Sequence, residues 1–289
     1  MSISRPIGIF DSGLGGLTVM KRVIEKLPHE SIAYVADQAH VPYGERMTDE
    51  IRSFALGITD FLTGQDAKMV IMACNMSSAT ALDRAHELFP TTPTIGVIEA
   101  GVRAALRVAS GRPIGVLATK GTVSMRAYSN TLLRLMPEAE VIEQACPLFV
   151  PLIEAGKWDS DEARETVQLY VRPLMSAGCQ VLILGCTHYP FLMRFIRQEA
   201  GPGVTIIDPA EETAIEAANI LFDARMLNSP TTEPVHAYFT SAAPEQFAEL
   251  GSPLLGSRIT QVSKITWGLD LKEIICQEKT VGQTMKSAL

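Results

Sequence analysis

Short aliphatic runs separated by longer amphipathic stretches dominate this sequence, and they restrict the folds open to it. Ile7-Gly8-Ile9-Phe10, Ile32-Ala33-Tyr34-Val35, Met69-Val70-Ile71-Met72 and Ile95-Gly96-Val97 each read as a buried strand. So do Ile114-Gly115-Val116-Leu117, Val181-Leu182-Ile183-Leu184 and Val204-Thr205-Ile206-Ile207. Near-continuous aliphatic runs suit parallel strands covered on both faces; a half-exposed strand would alternate polar and apolar residues. Between them, Ile51, Phe54, Ala55, Ile58 and Phe61 fall on one helical stripe, with Thr48 as the expected cap. Ala163, Val167, Tyr170, Val171 and Leu174 form another, with Gly178 expected just beyond its end. Residues 230–234 and 252–253 read as loops. Strand and helix in alternation predict an α/β fold with mainly parallel sheets.

At roughly 150 residues per domain, a chain of 289 residues suggests two domains. The net charge of −7 excludes a general basic surface for nucleic acid and means that an anionic ligand must be met by local donors. Five scattered cysteines, an odd number with no C-x-x-C pair, fit a reducing cytoplasm better than a disulfide framework. The N-terminus lacks the pattern of a signal peptide, and no apolar run approaches the ~18 residues of a membrane span. The chain is therefore expected to be cytoplasmic, with no membrane and no nucleic-acid partner.

Two blocks of the sequence echo each other. Val70-Ile71-Met72-Ala73-Cys74-Asn75 resembles Leu182-Ile183-Leu184-Gly185-Cys186-Thr187, and each follows a helix-like segment and a glycine, Gly64 or Gly178. Two similar α/β units, each presenting a cysteine at the C-terminal end of a strand, account for the echo. That end is where open α/β sheets bind ligands. An isolated cysteine is ordinarily core packing, which is the reading for Cys146, Cys179 and Cys276. Cys74 and Cys186 differ because polar residues follow them: Asn75, Ser77 and Ser78 in one case, Thr187, His188 and Tyr189 in the other.

Paired thiols have a specific use. Inverting a stereocentre requires proton removal from one face and delivery to the other, and two facing groups achieve this without moving. A thiol with a reference pKa near 8.5 reaches both protonation states around neutrality. No metal is expected, since Cys186-x-His188 alone is too sparse for zinc. No lysine motif marks a pyridoxal site, so no cofactor is expected either.

The segment Gly8 to Thr18, containing Asp11-Ser12-Gly13-Leu14-Gly15-Gly16, leaves the first strand and opens a helix. It is neither a dinucleotide fingerprint nor a P-loop. Two readings stand level: a tight turn whose glycines permit close packing, or an anion seat at a helix N-terminus. Asp11 has the competing reading of a helix cap, with Ser12 in the first turn.

Here a family resemblance enters. Phe10-Asp11-Ser12-Gly13-Leu14-Gly15-Gly16-Leu17-Thr18-Val19 resembles the opening signature of glutamate racemases. Val41-Pro42-Tyr43-Gly44, Ala73-Cys74-Asn75, Ala118-Thr119-Lys120-Gly121-Thr122, Cys146 to Leu152 and Gly185-Cys186-Thr187-His188-Tyr189-Pro190 are similar to further motifs of that family, in the same order. The resemblance implies two α/β domains facing a central cleft: residues 1–97 with 208–267, and residues 98–207, followed by a tail at 268–289. It implies interconversion of L- and D-glutamate, supplying D-glutamate for peptidoglycan, in which Cys74 takes the α-proton of the D enantiomer and Cys186 that of the L. Asp11 and His188 would assist the two cysteines. Ser12, Pro42, Tyr43, Gly44, Asn75, Thr119, Thr122 and Thr187 would hold the substrate, with Asp37 and Glu154 as supports. A homodimer and activation by a cell-wall precursor are further family traits.

Where the family usually has threonine after Cys-Asn, this chain has Met76, which offers no hydroxyl; Ser77 or Ser78 would supply the missing donor, or Met76 would narrow the pocket. Three other readings fit the same residues. They are a racemase for another amino acid such as aspartate, a phosphotransferase with an actin-like phosphate loop, and a non-catalytic amino-acid-binding protein. Taken singly, His188 also reads as a structural histidine, Tyr43 as a turn aromatic, Thr119 and Thr122 as caps, and Glu154 as a surface carboxylate.

Overall fold

A computed structural model of the chain describes residues 5–268 and 273–276. The strands form two sheets. The first comprises β1 (Ile7–Asp11), β2 (Ile32–Ala36), β3 (Met69–Met72), β4 (Thr94–Gly96), β9 (His236–Thr240), β10 (Val262–Trp267) and β11 (Ile274–Cys276), in the order β11-β10-β9-β2-β1-β3-β4. The second comprises β5 (Ile114–Ala118), β6 (Val141–Ala145), β7 (Val181–Gly185) and β8 (Thr205–Ile207), in the order β6-β5-β7-β8. The second sheet is wholly parallel, and the first is parallel apart from the β10/β11 pair.

The aliphatic runs become strands because helices cover both of their faces. In β1, Ile7 and Ile9 join one core with α1 (Leu17–Lys26), α10 (Pro209–Asp223) and α11 (Pro244–Leu255). Phe10 points the other way, into a core with α2 (Thr48–Gly64) and α3 (Asn75–Leu88). The second sheet repeats the arrangement. Leu117, Leu182 and Leu184 pack on α7 (Phe149–Glu154), α8 (Asp161–Ser176) and α9 (Met193–Ala200). Val116, Val181 and Ile183 pack on α4 (Val97–Ala109) and α6 (Ala127–Leu135). A fully buried side chain of this size contributes about 1.5–3 kcal/mol of transfer free energy. The chain passes from the first sheet to the second through α4 and returns through α10.

Strand order decides where a site can form. In the first sheet β1 is flanked by β2 on one side and β3 on the other, so the connections diverge between β1 and β3. In the second they diverge between β5 and β7. Loops leaving such a switch point part and open a crevice at the C-terminal strand ends. Asp11 and Cys74 stand at the first crevice, and Thr119 and Cys186 at the second.

All seven expected strands are present, although the run at 95–97 stops at Gly96 and Val97 already begins α4. Four local expectations are met or corrected by identifiable contacts. Gly178 has φ +82° just past α8, as a C′ residue should. Thr48 is not the cap of α2 but its first residue; Met47 precedes it, and the Glu50 carboxylate accepts the Met47 N–H at 3.2 Å. Asp11 does not cap α1, which begins after Gly16. Ser252 and Pro253 lie inside α11 rather than in a loop. Pro253 lies in the last turn and removes one intrahelical hydrogen bond there, and Gly256 at φ +76° ends the helix. Among the described residues no helix is long and apolar enough to cross a membrane, and Cys74, Cys146, Cys179 and Cys186 are free thiols.

Candidate active site

A cavity lies between the C-terminal strand ends of the two sheets, with about 340 Å³ of unfilled space that includes its opening to solvent. Ser12, Pro42, Tyr43, Gly44, Cys74, Asn75 and Met76 line it from the first sheet's side. Thr119, Thr122, Val150, Cys186, Thr187 and His188 line it from the second. Both cysteines are nearly enclosed, Cys74 at 6% and Cys186 at 8% exposure. The two sulfurs share this one space but have different electrical surroundings.

At Cys186, the β7 strand ends and a short turn folds His188 back onto the sulfur. His188 Nδ1 lies 3.8 Å from Cys186 Sγ, and Nε2 lies 2.6 Å from Glu154 Oε1 at the end of α7. Burial alone would lower the imidazole's pKa, but the bonds to Cys186 and Glu154 outweigh it and hold His188 well above its ordinary value. The ring therefore stands within reach of the sulfur and is able to exchange a proton with it.

At Cys74 the neighbour is a carboxylate. Burial, reinforced by the Asp11 charge, pushes the Cys74 thiol up to about 12. Asp11 is itself raised by burial, against the opposing pull of His188 and of the Gly13 and Gly16 N–H groups. Thr187 donates to Asp11 Oδ1 at 3.1 Å, so one hydroxyl joins the two halves of the cavity wall. That shift keeps Cys74 protonated near neutral pH.

This geometry answers the question left open for the glycine loop. Gly13 N–H donates to Asp11 Oδ2 at 3.0 Å, and Gly16 N–H also favours that carboxylate. The anion at the start of α1 is the chain's own Asp11. Ser12 is the residue of the loop that lines the cavity. The glycines serve close packing: a methyl on Gly16 would stand 2.5 Å from Asp11 Cβ and 2.7 Å from the Tyr34 hydroxyl. This arrangement gives no support to a phosphate loop.

Tyr43 reaches the cavity through a network that the sequence did not reveal. Its hydroxyl donates to Asp37 Oδ2 at 2.6 Å, and Ser241 and the Trp267 indole N–H donate to Asp37 Oδ1 at 2.7 and 2.9 Å. His40 Nδ1 adds a bond at 2.8 Å and stacks on Phe54, with ring centroids 4.2 Å apart. The Tyr43 hydroxyl is thus committed to Asp37, and its ring forms cavity wall. Burial would raise Asp37, but the bonds from His40, Tyr43 and Trp267 outweigh it and lower its pKa. A depressed folded-state pKa gives stability that is present above the unfolded value near 3.9 and lost as pH falls through the lower folded one. Asp37→Asn is therefore expected to cost about 1–3 kcal/mol at pH 7 and to flatten the acid limb of stability. Urea unfolding at pH 7 and pH 3 measures both; equal stability of the two proteins at pH 7 would contradict the network's role.

Two other residues acquire partners across the cavity. Tyr128 of α6, not anticipated from the sequence, donates to Asn75 Oδ1 at 2.7 Å and leaves the amide nitrogen for a ligand. Met76 Sδ accepts the Thr122 hydroxyl at 3.3 Å, and Thr122 Oγ1 lies 3.0 Å from Thr119 Oγ1. Met76 therefore narrows the cavity and occupies a donor. Asp11, Asp37, Ser77 and Glu154 stand behind the wall, touching residues that line it or lie beside them. Ser78 is structural, bonding the carbonyls of Met72 and Cys74. Val150 lines the cavity without having been singled out; an aliphatic residue on a short helix carries no chemical signal.

Comparison with known proteins places this arrangement. Residues 7–217 match the model of the Asp/Glu/Hydantoin racemase family, and the chain belongs to that family. It is 41% identical over 262 residues to the glutamate racemase of Geobacter metallireducens, covering 91% of this chain and 97% of that protein. The glutamate racemase of Lactiplantibacillus plantarum is 39% identical over 257 residues, 89% of this chain and 94% of that protein. Among solved structures, a glutamate racemase isoform from Bacillus anthracis superposes with a TM-score of 0.86 at 37% identity, covering 92% of this chain and 98% of that one. The Francisella tularensis glutamate racemase in complex with D-glutamate gives 0.85 at 33% identity, covering 91% and 98%. The fold is the two-sheet α/β arrangement of these racemases.

Proposed function

We propose that this chain interconverts L- and D-glutamate by moving a proton between two opposed sulfurs and Cα. The observation that carries the reading is the pair Cys74 and Cys186, brought from the switch points of two sheets to the wall of one cavity. Cys186 as thiolate takes the α-proton of L-glutamate, and Cys74 as thiol returns a proton to the opposite face of Cα. From D-glutamate the roles exchange. One C–H bond breaks and one forms, so nothing is oxidised and no co-reactant is consumed.

His188, with Glu154 behind it, exchanges the proton of Cys186, while Asp11 sets the field at Cys74. Ser12, Asn75, Thr119, Thr122 and Thr187, with the backbone from Pro42 to Gly44, hold the carboxylates and the ammonium group. These local donors offset the repulsion that a chain of net charge −7 exerts on an anionic substrate. The product serves as D-glutamate for peptidoglycan in the cytoplasm. The Escherichia coli glutamate racemase, at 25% identity and a TM-score of 0.74, has been solved with L-glutamate and the activator UDP-MurNAc-Ala. A homodimer and a response to such a precursor belong to the same reading; sedimentation and rate measurements with and without the precursor test them.

Met76 favours a second reading in which the substrate has another side chain, such as that of aspartate, because it removes space and a donor from the cavity. Deuterium uptake at Cα in heavy water, with each L- and D-amino acid and no added cofactor, separates the two. Glutamate is expected to exchange fastest. A faster rate with aspartate would transfer the assignment to that substrate, and absence of exchange with every amino acid would overturn the reaction.

A further inference from the structure

Cys74 is the N-cap of α3, and of the first-turn N–H groups that of Ser77 favours a charge on its sulfur. Three hydroxyls follow on that helix, and two have the ordinary partner of a helical hydroxyl. Ser78 bonds the Cys74 carbonyl at 3.0 Å, and Thr80 bonds the Met76 carbonyl at 2.8 Å. Ser77 does neither. It is 0% exposed, and its Oγ has no hydrogen-bond partner in the resting molecule. Fully buried and unpaired, this hydroxyl lies beside a sulfur that becomes an anion in half of the catalytic cycle.

The need for such a group follows from what surrounds Cys74. The charges that act on it, from Asp11 and from Cys186 when ionised, disfavour its thiolate. Cys186 has the His188 ring beside it; Cys74 has only the start of α3. The Ser77 N–H and hydroxyl are the groups there that favour the anion. Helix N-termini and nearby donors are known to stabilise thiolates.

We propose that Ser77 is a positioning residue that holds Cys74 as a thiolate whenever Cys74 removes the α-proton. Its hydroxyl is unpaired while Cys74 carries a proton and paired once that proton leaves. The inference rests on the assignment of Cys74 as one of the two bases.

The test uses Ser77→Ala, with Ser77→Thr as the rescue. Since L- and D-glutamate have equal free energies, kcat/KM must fall equally in both directions, by about ten-fold for Ser77→Ala. The informative readout is the primary isotope effect on kcat/KM for each enantiomer deuterated at Cα. When the Cys74 step becomes the slower one, the effect rises for D-glutamate, whose bond Cys74 breaks, and falls for L-glutamate. Ser77→Thr is expected to restore both the rate and the ratio of the two effects. An unchanged ratio in Ser77→Ala, or Ser77→Thr behaving like Ser77→Ala, overturns the proposal. Wild-type racemisation by Cys74→Ser would instead remove the assignment on which it rests.

Discussion

Cys74→Ser and Cys186→Ser are each expected to slow glutamate racemisation by roughly 10²–10⁴-fold, the range that a positioned acid or base contributes. A serine hydroxyl keeps the size of the thiol but is a far weaker acid, so it neither leaves its proton nor reclaims one near neutral pH. Both directions must slow together, because the equilibrium constant between enantiomers is one. The difference between the variants therefore lies in solvent exchange. Cys74→Ser, retaining Cys186, is expected to wash the α-hydrogen from L-glutamate faster than from D-glutamate; Cys186→Ser is expected to show the opposite preference. Proton NMR of each enantiomer in heavy water reads this directly. Exchange of both enantiomers at the same rate in both variants would mean that the sulfurs do not address opposite faces.

Gly15→Ala is the second large effect. Gly15 has no positive φ, so alanine carries no backbone penalty there. The cost is steric: the new methyl would stand 2.6 Å from His188 Nδ1 and collide with the Thr187 hydroxyl. Neither side chain is free to turn. Thr187 is bonded to Asp11, and His188 is held between Cys186 and Glu154. The methyl must break one of these links or separate the two halves of the cavity. A displacement of about 1 Å at a reacting group costs on the order of 10²-fold in rate, and overpacking adds about 1–3 kcal/mol of destabilisation. Steady-state kinetics and thermal unfolding together separate the two losses. Activity within a factor of about three of wild type would show that the loop does not brace His188.

The sequence made the strand ends legible because buried parallel strands leave unbroken aliphatic runs. It made Cys74 and Cys186 legible because their flanks repeat. The less visible strands were those with polar positions. Val141–Ala145 at a sheet edge carries Glu143 and Gln144, and Val262–Trp267 carries Ser263 and Lys264. Partners from distant segments were equally hidden. Nothing near Asp37 in the sequence announces Ser241 or Trp267, and nothing near Asn75 announces Tyr128. Motifs identify the residues that meet a ligand, whereas the groups that orient them are fixed by topology. The glycine loop shows the same limit: its composition left packing and anion binding level, and the position of Asp11 decided between them.

The bond from the Trp267 indole to Asp37 also equips the molecule with an optical gauge. Indole fluorescence depends on charge beside the ring, and the Asp37 carboxylate that receives this N–H also receives the hydroxyl of Tyr43 in the cavity wall. A molecule that enters the cavity and shifts Tyr43 is expected to change the emission of Trp267 through this one carboxylate. The other tryptophan, Trp158, packs on Phe191 away from that network and adds a constant background. Occupancy is thus expected to register in the total indole emission of the unlabelled protein while turnover proceeds.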